Sequence, residues 1–137
     1  MARRRLDANV IIRHLTGDSA VLSPRATALV RRLERGEAHV DLSPVIIAEV
    51  VFVLSSTRLY APPRSTIRDG LLPILMLRTV HTPRKRLYRR IFELYVSLSV
   101  DFEDAYEAAL AERTAPHEIY SFDRDLDRIP TVRRVEP

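Results

Sequence analysis

The sequence predicts an α/β fold in which a parallel sheet is covered by helices on both faces. Strand-like and helical segments alternate along the chain, the order produced when parallel strands are joined by helical crossovers. Helix starts are marked twice by a serine cap with proline at the first helical position, at Ser23-Pro24 and Ser43-Pro44. The 137 residues contain no cysteine, so neither a disulfide framework nor a thiolate metal site is available, and the length suffices for one core without such staples. One domain over residues 1–137 is the expectation.

Composition narrows the setting. The net charge of +4 rests on 22 basic residues, of which Lys85 alone is a lysine. Guanidinium forks suit phosphate and make an anionic partner reasonable, although so modest a charge does not by itself indicate nucleic acid. No apolar run approaches the length of a membrane span, and the opening Met1 to Arg5 leads into Leu6-Asp7-Ala8-Asn9 rather than an apolar signal core. A soluble, cytoplasmic protein with no membrane association is expected.

In chain order, Arg3 to Leu6 reads as a first strand, placed by its neighbour rather than by its own arginine-rich pattern. A helix follows from near Asn9 to Leu15. Asp7 and Asn9 stand at this junction, where either can cap the helix or serve a ligand at the carboxyl end of a strand. The helix breaks at Gly17-Asp18. A second runs from Ser23-Pro24 to about Arg35 and is closed by Gly36. Ala38 to Leu42 alternates like a half-buried strand. The next helix, Val45 to Leu54, is apolar all round and reads as buried, with Glu49 in its middle as a buried carboxylate that must be paired, protonated or metal-bound.

Pro62-Pro63 ends this part of the chain. Arg64 to Leu77 reads as a helix that Pro73 can kink, and Arg78 to His81 as a third strand. A basic helix from Arg84 to about Leu98 crowds Arg84, Lys85, Arg86, Arg89 and Arg90 into its first half, with Tyr88 among them. Such a cluster is either a solvated face or a grip on a nucleic-acid backbone. Asp101 then caps a helix reaching about Arg113, with Asp104 in its first turn. Glu118 to Asp123 reads as a strand ending in the hydroxyl of Ser121 and an acid, followed by Asp125 and Asp127. An Asx-turn is the plain account of that acidic end. Val132 to Val135 is a last, edge strand.

In such a sheet the carboxyl ends of the parallel strands lie along one rim. Asp7 and Asp123 sit at such ends, Asp104 at a helix start, and Glu49 on a helix able to face them. If the four converge, carboxylates about 4 Å apart repel by about 4 kcal/mol at an effective dielectric near 20, which makes sense only around cations. A site of oxygens alone suits Mg²⁺ or Mn²⁺. Acid-held metal beside a basic surface is an arrangement for cleaving phosphodiesters.

These motifs, in order, are Leu6-Asp7-Ala8-Asn9-Val10, Glu49 in an apolar helix after Ser43-Pro44, Val100-Asp101-Phe102-Glu103-Asp104-Ala105 and Tyr120-Ser121-Phe122-Asp123-Arg124-Asp125-Leu126. Together they resemble the PIN-domain ribonucleases, and among these the VapC-type toxins of toxin–antitoxin pairs. The resemblance spans essentially the whole chain. It implies a three-layer PIN-like fold with a parallel sheet of about five strands between helices. It also implies an Mg²⁺- or Mn²⁺-dependent endoribonuclease that cuts single-stranded or loop RNA, with Asp7, Glu49, Asp104 and Asp123 as metal-binding acids and Ser121 and Asn9 in support. The implied partners are a cognate antitoxin and a second copy of the chain in a homodimer. Against the family's pattern, the first strand is arginine-rich rather than apolar, and Ser121 stands where threonine is more common. Asp125 and Asp127 compete with Asp123 for the fourth ligand position, and Asp101 with Asp104.

Two rival readings remain. One is a Mg²⁺-dependent phosphotransfer domain, which needs a lysine at the site, whereas Lys85 falls in the basic helix. The other is a PIN-like RNA-binding or partner-binding module without catalysis, which gives no reason to tolerate the repulsion among the acids.

Overall fold

The computed structural model describes residues 2–56 and 60–137. They fall into two compact units, Met1–Lys85 and Arg86–Pro137. The first unit runs β1 (Arg3–Arg5), α1 (Ala8–Thr16), α2 (Leu22–Glu34), β2 (His39–Asp41), α3 (Pro44–Leu54), α4 (Arg64–Leu75) and β3 (Val80–His81). Its strands form one parallel sheet in the order β1-β2-β3, with Arg4 opposite Val40 and Val40 opposite Val80. Three arginines make a strand here because β2 answers them. Arg3 pairs with Asp41 at 3.4 Å, and Arg5 donates to the hydroxyl of Ser43 just beyond β2.

Helix α1 buries Ala8, Ile11 and Ile12 and packs against α2 and α3. It stops at Gly17, whose φ of +64° is the left-handed turn that glycine adopts without a side-chain penalty. Helix α2 begins at Leu22, two residues before Pro24, and Ser19 Oγ just upstream accepts the Leu22 N–H at 3.0 Å. Pro73 lies inside α4. Thr79, fully buried before β3, donates to the carbonyl of Leu33 at 2.7 Å and ties the end of α2 to the sheet.

Helix α3 corrects the sequence reading. It is not buried all round: Ile47, Val50, Val51 and Leu54 form its inner stripe, while Val45 and Phe52 are each 72 % exposed. Glu49 lies on that outer stripe, one turn from each, and is exposed rather than buried. A helix with almost no polar residues cannot announce by pattern which stripe faces inward, so the periodicity was silent where the packing is clear.

The second unit contains α5 (Tyr88–Leu98), α6 (Phe102–Ala111), β4 (Glu118–Tyr120) and β5 (Arg133–Val135), with a 3-10 turn over Arg124–Arg128. Strands β4 and β5 pair in parallel, Glu118 opposite Arg133 and Tyr120 opposite Val135. The core is aromatic: Phe92, Tyr95 and Phe102 meet ring to ring at 5.4–6.2 Å, and Tyr88 meets Tyr106 edge-on at 5.9 Å. Ala105, Ala108 and Ala109, all fully buried, let α6 lie close on α5. The five strands expected are present and parallel, divided into sheets of three and two.

The basic helix also differs from expectation. Arg84 has a φ of +53°, Lys85–Leu87 form a 3-10 turn, and the α-helix begins only at Tyr88. Tyr88 is fully buried, so it cannot interleave with the arginines as a surface aromatic. Among the described residues no helix is long and apolar enough to cross a membrane.

Candidate acidic site

Asp7 and Asp123 sit where a strand leads into a helical turn, Asp104 in the first turn of α6, and Glu49 in the middle of α3. Asp7 precedes α1 with extended backbone, is exposed, and makes no side-chain capping hydrogen bond. Asp101 occupies the corresponding position before α6, again without a capping bond. Both residues thus hold the N-cap position of their helix as expected, but neither caps it through its side chain. Asn9, in the first turn of α1, is exposed.

The second unit assembles the clearest cluster. Asp104, in the first turn of α6, is half-buried, and its Oδ2 is shut off from solvent with no hydrogen-bond partner. Burial pushes its pKa above the usual carboxylate range, and Asp123, Asp101, Asp125 and Glu103 push it further in that order. The segment that brings Asp123 there is tightly tied. Its N–H donates to Ser121 Oγ at 2.9 Å, and its Oδ1 accepts the Asp125 N–H at 2.9 Å. Arg134 donates to the Ser121 carbonyl at 3.2 Å. The Asx-turn expected from the sequence is thus real, and it uses one oxygen of Asp123. Ser121 acts by holding the backbone of Asp123 in place.

Ion pairing separates the competing acids. Asp127 is bound to Arg134 at 3.0 Å, and Asp125 stands 3.4 Å from Arg128. Asp123 and Asp104 have no such counterion among the described residues. The same contrast holds along the chain. Of its 18 acids, eleven pair with an arginine among the described residues, and Asp7, Glu49, Asp104 and Asp123 are all among the seven that do not. In a chain so rich in arginine, carboxylates kept clear of guanidinium have an oxygen donor set open to a hard cation. The buried, unsatisfied Asp104 oxygen fits such an ion. Among the described residues, however, no three His, Asp or Glu side chains stand close enough together to hold a metal as they are.

The basic residues divide as well. Arg90 forks onto Glu112 at 2.9 and 2.7 Å and reaches Glu93 at 2.8 Å, so its charge is spent within its unit. Lys85 donates to the Leu77 carbonyl, and burial lowers its pKa. It is thus occupied in a backbone contact, not presented as a phosphotransfer lysine. Arg84, Arg86 and Arg89 are exposed. What sequence reading missed is the pair of outward aromatics beside Asp123. Tyr120 and Phe122 are 77 % and 73 % exposed, and their hydrophobicity alone had marked them as strand residues.

No curated protein matches the chain. The family model described as PIN domain matches residues 5–132, a span that runs through both units and includes every acid of the predicted set. Together with the parallel α/β architecture, this match shows that the chain belongs to the PIN domain family, a nuclease-type fold.

Proposed function

We propose that this protein is an Mg²⁺- or Mn²⁺-dependent endoribonuclease that cuts single-stranded or loop RNA, and that it serves as the toxin of a toxin–antitoxin pair. The observation that carries the reading is Asp104: a carboxylate with a buried, partnerless oxygen, ringed by other acids, in a chain that neutralises most of its acids with arginine. A fold gains nothing from that repulsion unless a cation relieves it. On the sequence resemblance, Asp7, Glu49, Asp104 and Asp123 are the residues that would hold the ion in a single-domain protein. When bound, the ion supplies neutralisation of phosphate charge and a more acidic water.

The chain's own residues set the rest. Ser121 and the Asp125 N–H fix the Asp123 carboxylate, leaving its second oxygen for the site. Asp104, with its pKa raised by burial and the neighbouring acids, holds a proton more readily than an ordinary carboxylate. Arg84, Arg86 and Arg89 offer exposed guanidinium groups to an RNA backbone. Unpaired RNA is favoured because its bases are free to stack and its flexible backbone can adapt to the acids, which a rigid duplex cannot do.

The toxin role rests on the sequence resemblance. The exposed Val45 and Phe52 flanking Glu49 lend it support, since an apolar stripe beside a site acid suits coverage by an antitoxin or by a second copy in a homodimer. A cytoplasmic location follows from the RNA substrate. Purified protein incubated with structured RNAs is expected to give discrete cuts that EDTA abolishes and that Asp7→Asn and Asp104→Asn variants lack. Cleavage that persists in EDTA or in either variant overturns the nuclease mechanism. Tolerance of the protein at high level in cells without a small DNA-binding partner overturns the toxin role alone.

A further inference from the structure

The second unit turns most of its aromatic side chains inward and two of them outward. Tyr88, Phe92, Tyr95 and Phe102 are buried, whereas Tyr120 and Phe122 stand 77 % and 73 % exposed on either side of Ser121. The outward pair is not on a loose loop. Tyr120 ends β4 opposite Val135, the Ser121 N–H donates to the Val135 carbonyl at 3.1 Å, and Arg134 holds the Ser121 carbonyl at 3.2 Å. Arg134 is in turn clamped by Asp127 at 3.0 Å and Glu136 at 2.8 Å. The Asp123 N–H on Ser121 Oγ completes the mount. Two large aromatic faces are therefore presented to solvent on a fixed backbone, immediately before a site acid.

Their surroundings specify the ligand. On the sheet face of Tyr120 lies the Glu118–Arg133 ion pair at 2.9 Å, and Phe122 is followed by Asp123 and Arg124. Arg124 is exposed and has no ion-pair partner among the described residues. A protein partner that buried these rings would also have to bury the charges around them, which is costly. An unpaired nucleotide strand makes no such demand. Its bases stack on aromatic faces whatever their identity, and its phosphates stay solvated while meeting a free guanidinium.

We propose that Tyr120 and Phe122 form a stacking platform for unpaired nucleobases next to the phosphate to be cut, with Arg124 contacting the backbone between them. The assignment deepens the ribonuclease reading and rests on it for the identity of the strand. The platform makes the substrate's unstacked bases part of recognition, so the enzyme would select single strands by their π faces and not by phosphate alone.

The test compares binding of a fluorescently labelled single-stranded RNA octamer with that of an abasic ribose-phosphate octamer, by anisotropy in Ca²⁺. The full-length wild type is set against Tyr120→Leu/Phe122→Leu and Tyr120→Phe/Phe122→Tyr. Both positions are exposed, and matching melting temperatures will show that the variants fold. Wild type is expected to favour RNA over the abasic strand tenfold or more. The leucine variant should lose at least that factor on RNA while binding the abasic strand as before, and the variant that keeps two rings should retain the preference. In cleavage assays the leucine variant should raise KM with little change in kcat. RNA affinity unchanged by leucine, or lost equally for both ligands, overturns the platform. The former outcome would assign the rings to a protein contact. Base-dependent binding without any cleavage leaves the platform standing and removes the nuclease reading. Cleavage with an unaltered KM in the leucine variant does the reverse.

Discussion

Replacing Asp104 by asparagine distinguishes an acid held for a cation from an acid that merely suits a helix start, because the two roles predict opposite signs. In the apo protein the Asp104 Oδ2 is buried without a donor, and neighbouring acids raise the folded pKa. The native state then takes up the proton at a higher pH than the unfolded chain does. Stability therefore falls as pH rises from the unfolded to the folded pKa, and the full cost is present above the folded pKa. Asparagine keeps a polar atom at the buried position but removes the charge that burial and the neighbouring acids penalise; with solvent screening of a half-buried group, Asp104→Asn should stabilise by about 1 kcal/mol. In a chain of this length that is a rise of about 3–5 °C in Tm. A favourable helix-start acid would instead lose about 0.3–1 kcal/mol on the same change. Urea unfolding at pH 7 without divalent ions measures the difference, which should shrink below about pH 4, where the carboxyl is protonated in both states. With Mn²⁺ at about 100 times its dissociation constant, wild type should gain about 2.7 kcal/mol and the variant much less. A variant less stable than wild type at pH 7 in EDTA, with an equal gain from Mn²⁺, would refute the reasoning.

Other perturbations follow from the structure in the same way. Hydrogen bonds from Tyr60 at 2.6 Å and Arg13 at 2.9 Å hold the Asp18 carboxyl down to about 2, so its contribution is present above pH 3.8 and fades as pH falls toward 2. Acid unfolding of Asp18→Asn should lack that component. Thr79→Val keeps the shape but removes the donor to the Leu33 carbonyl, and should lower stability by about 1 kcal/mol in urea titration. Arg90→Lys keeps the charge but not the fork onto Glu112, and should cost about 0.5–1.5 kcal/mol by the same measurement.

Local chemistry was readable where a residue's role depends on its chain neighbours. Ser43-Pro44 starts α3, Gly17 ends α1, and the alternation of segments yields a parallel architecture, because caps, turns and crossovers are short-range. The Asx-turn at Asp123 was legible for the same reason. The acids proposed for the site stand in order along the chain, and the family match spans them all.

What depends on neighbours distant in sequence could only be decided by the tertiary structure. The uniform hydrophobicity of α3 carries no phase, so only packing shows that Glu49 faces outward with Val45 and Phe52. Three consecutive arginines make a poor strand by pattern, yet pairing with β2 and the contacts to Asp41 and Ser43 make them one. Among Asp123, Asp125 and Asp127 composition offers no distinction. The guanidinium groups of Arg134 and Arg128 settle which two are neutralised. Sequence by itself determined which chemical groups this protein owns and the turns that carry them. Folding decided which carboxylates are left without a counterion and which aromatics are left without a core, because burial and charge pairing are properties of space and not of order along the chain.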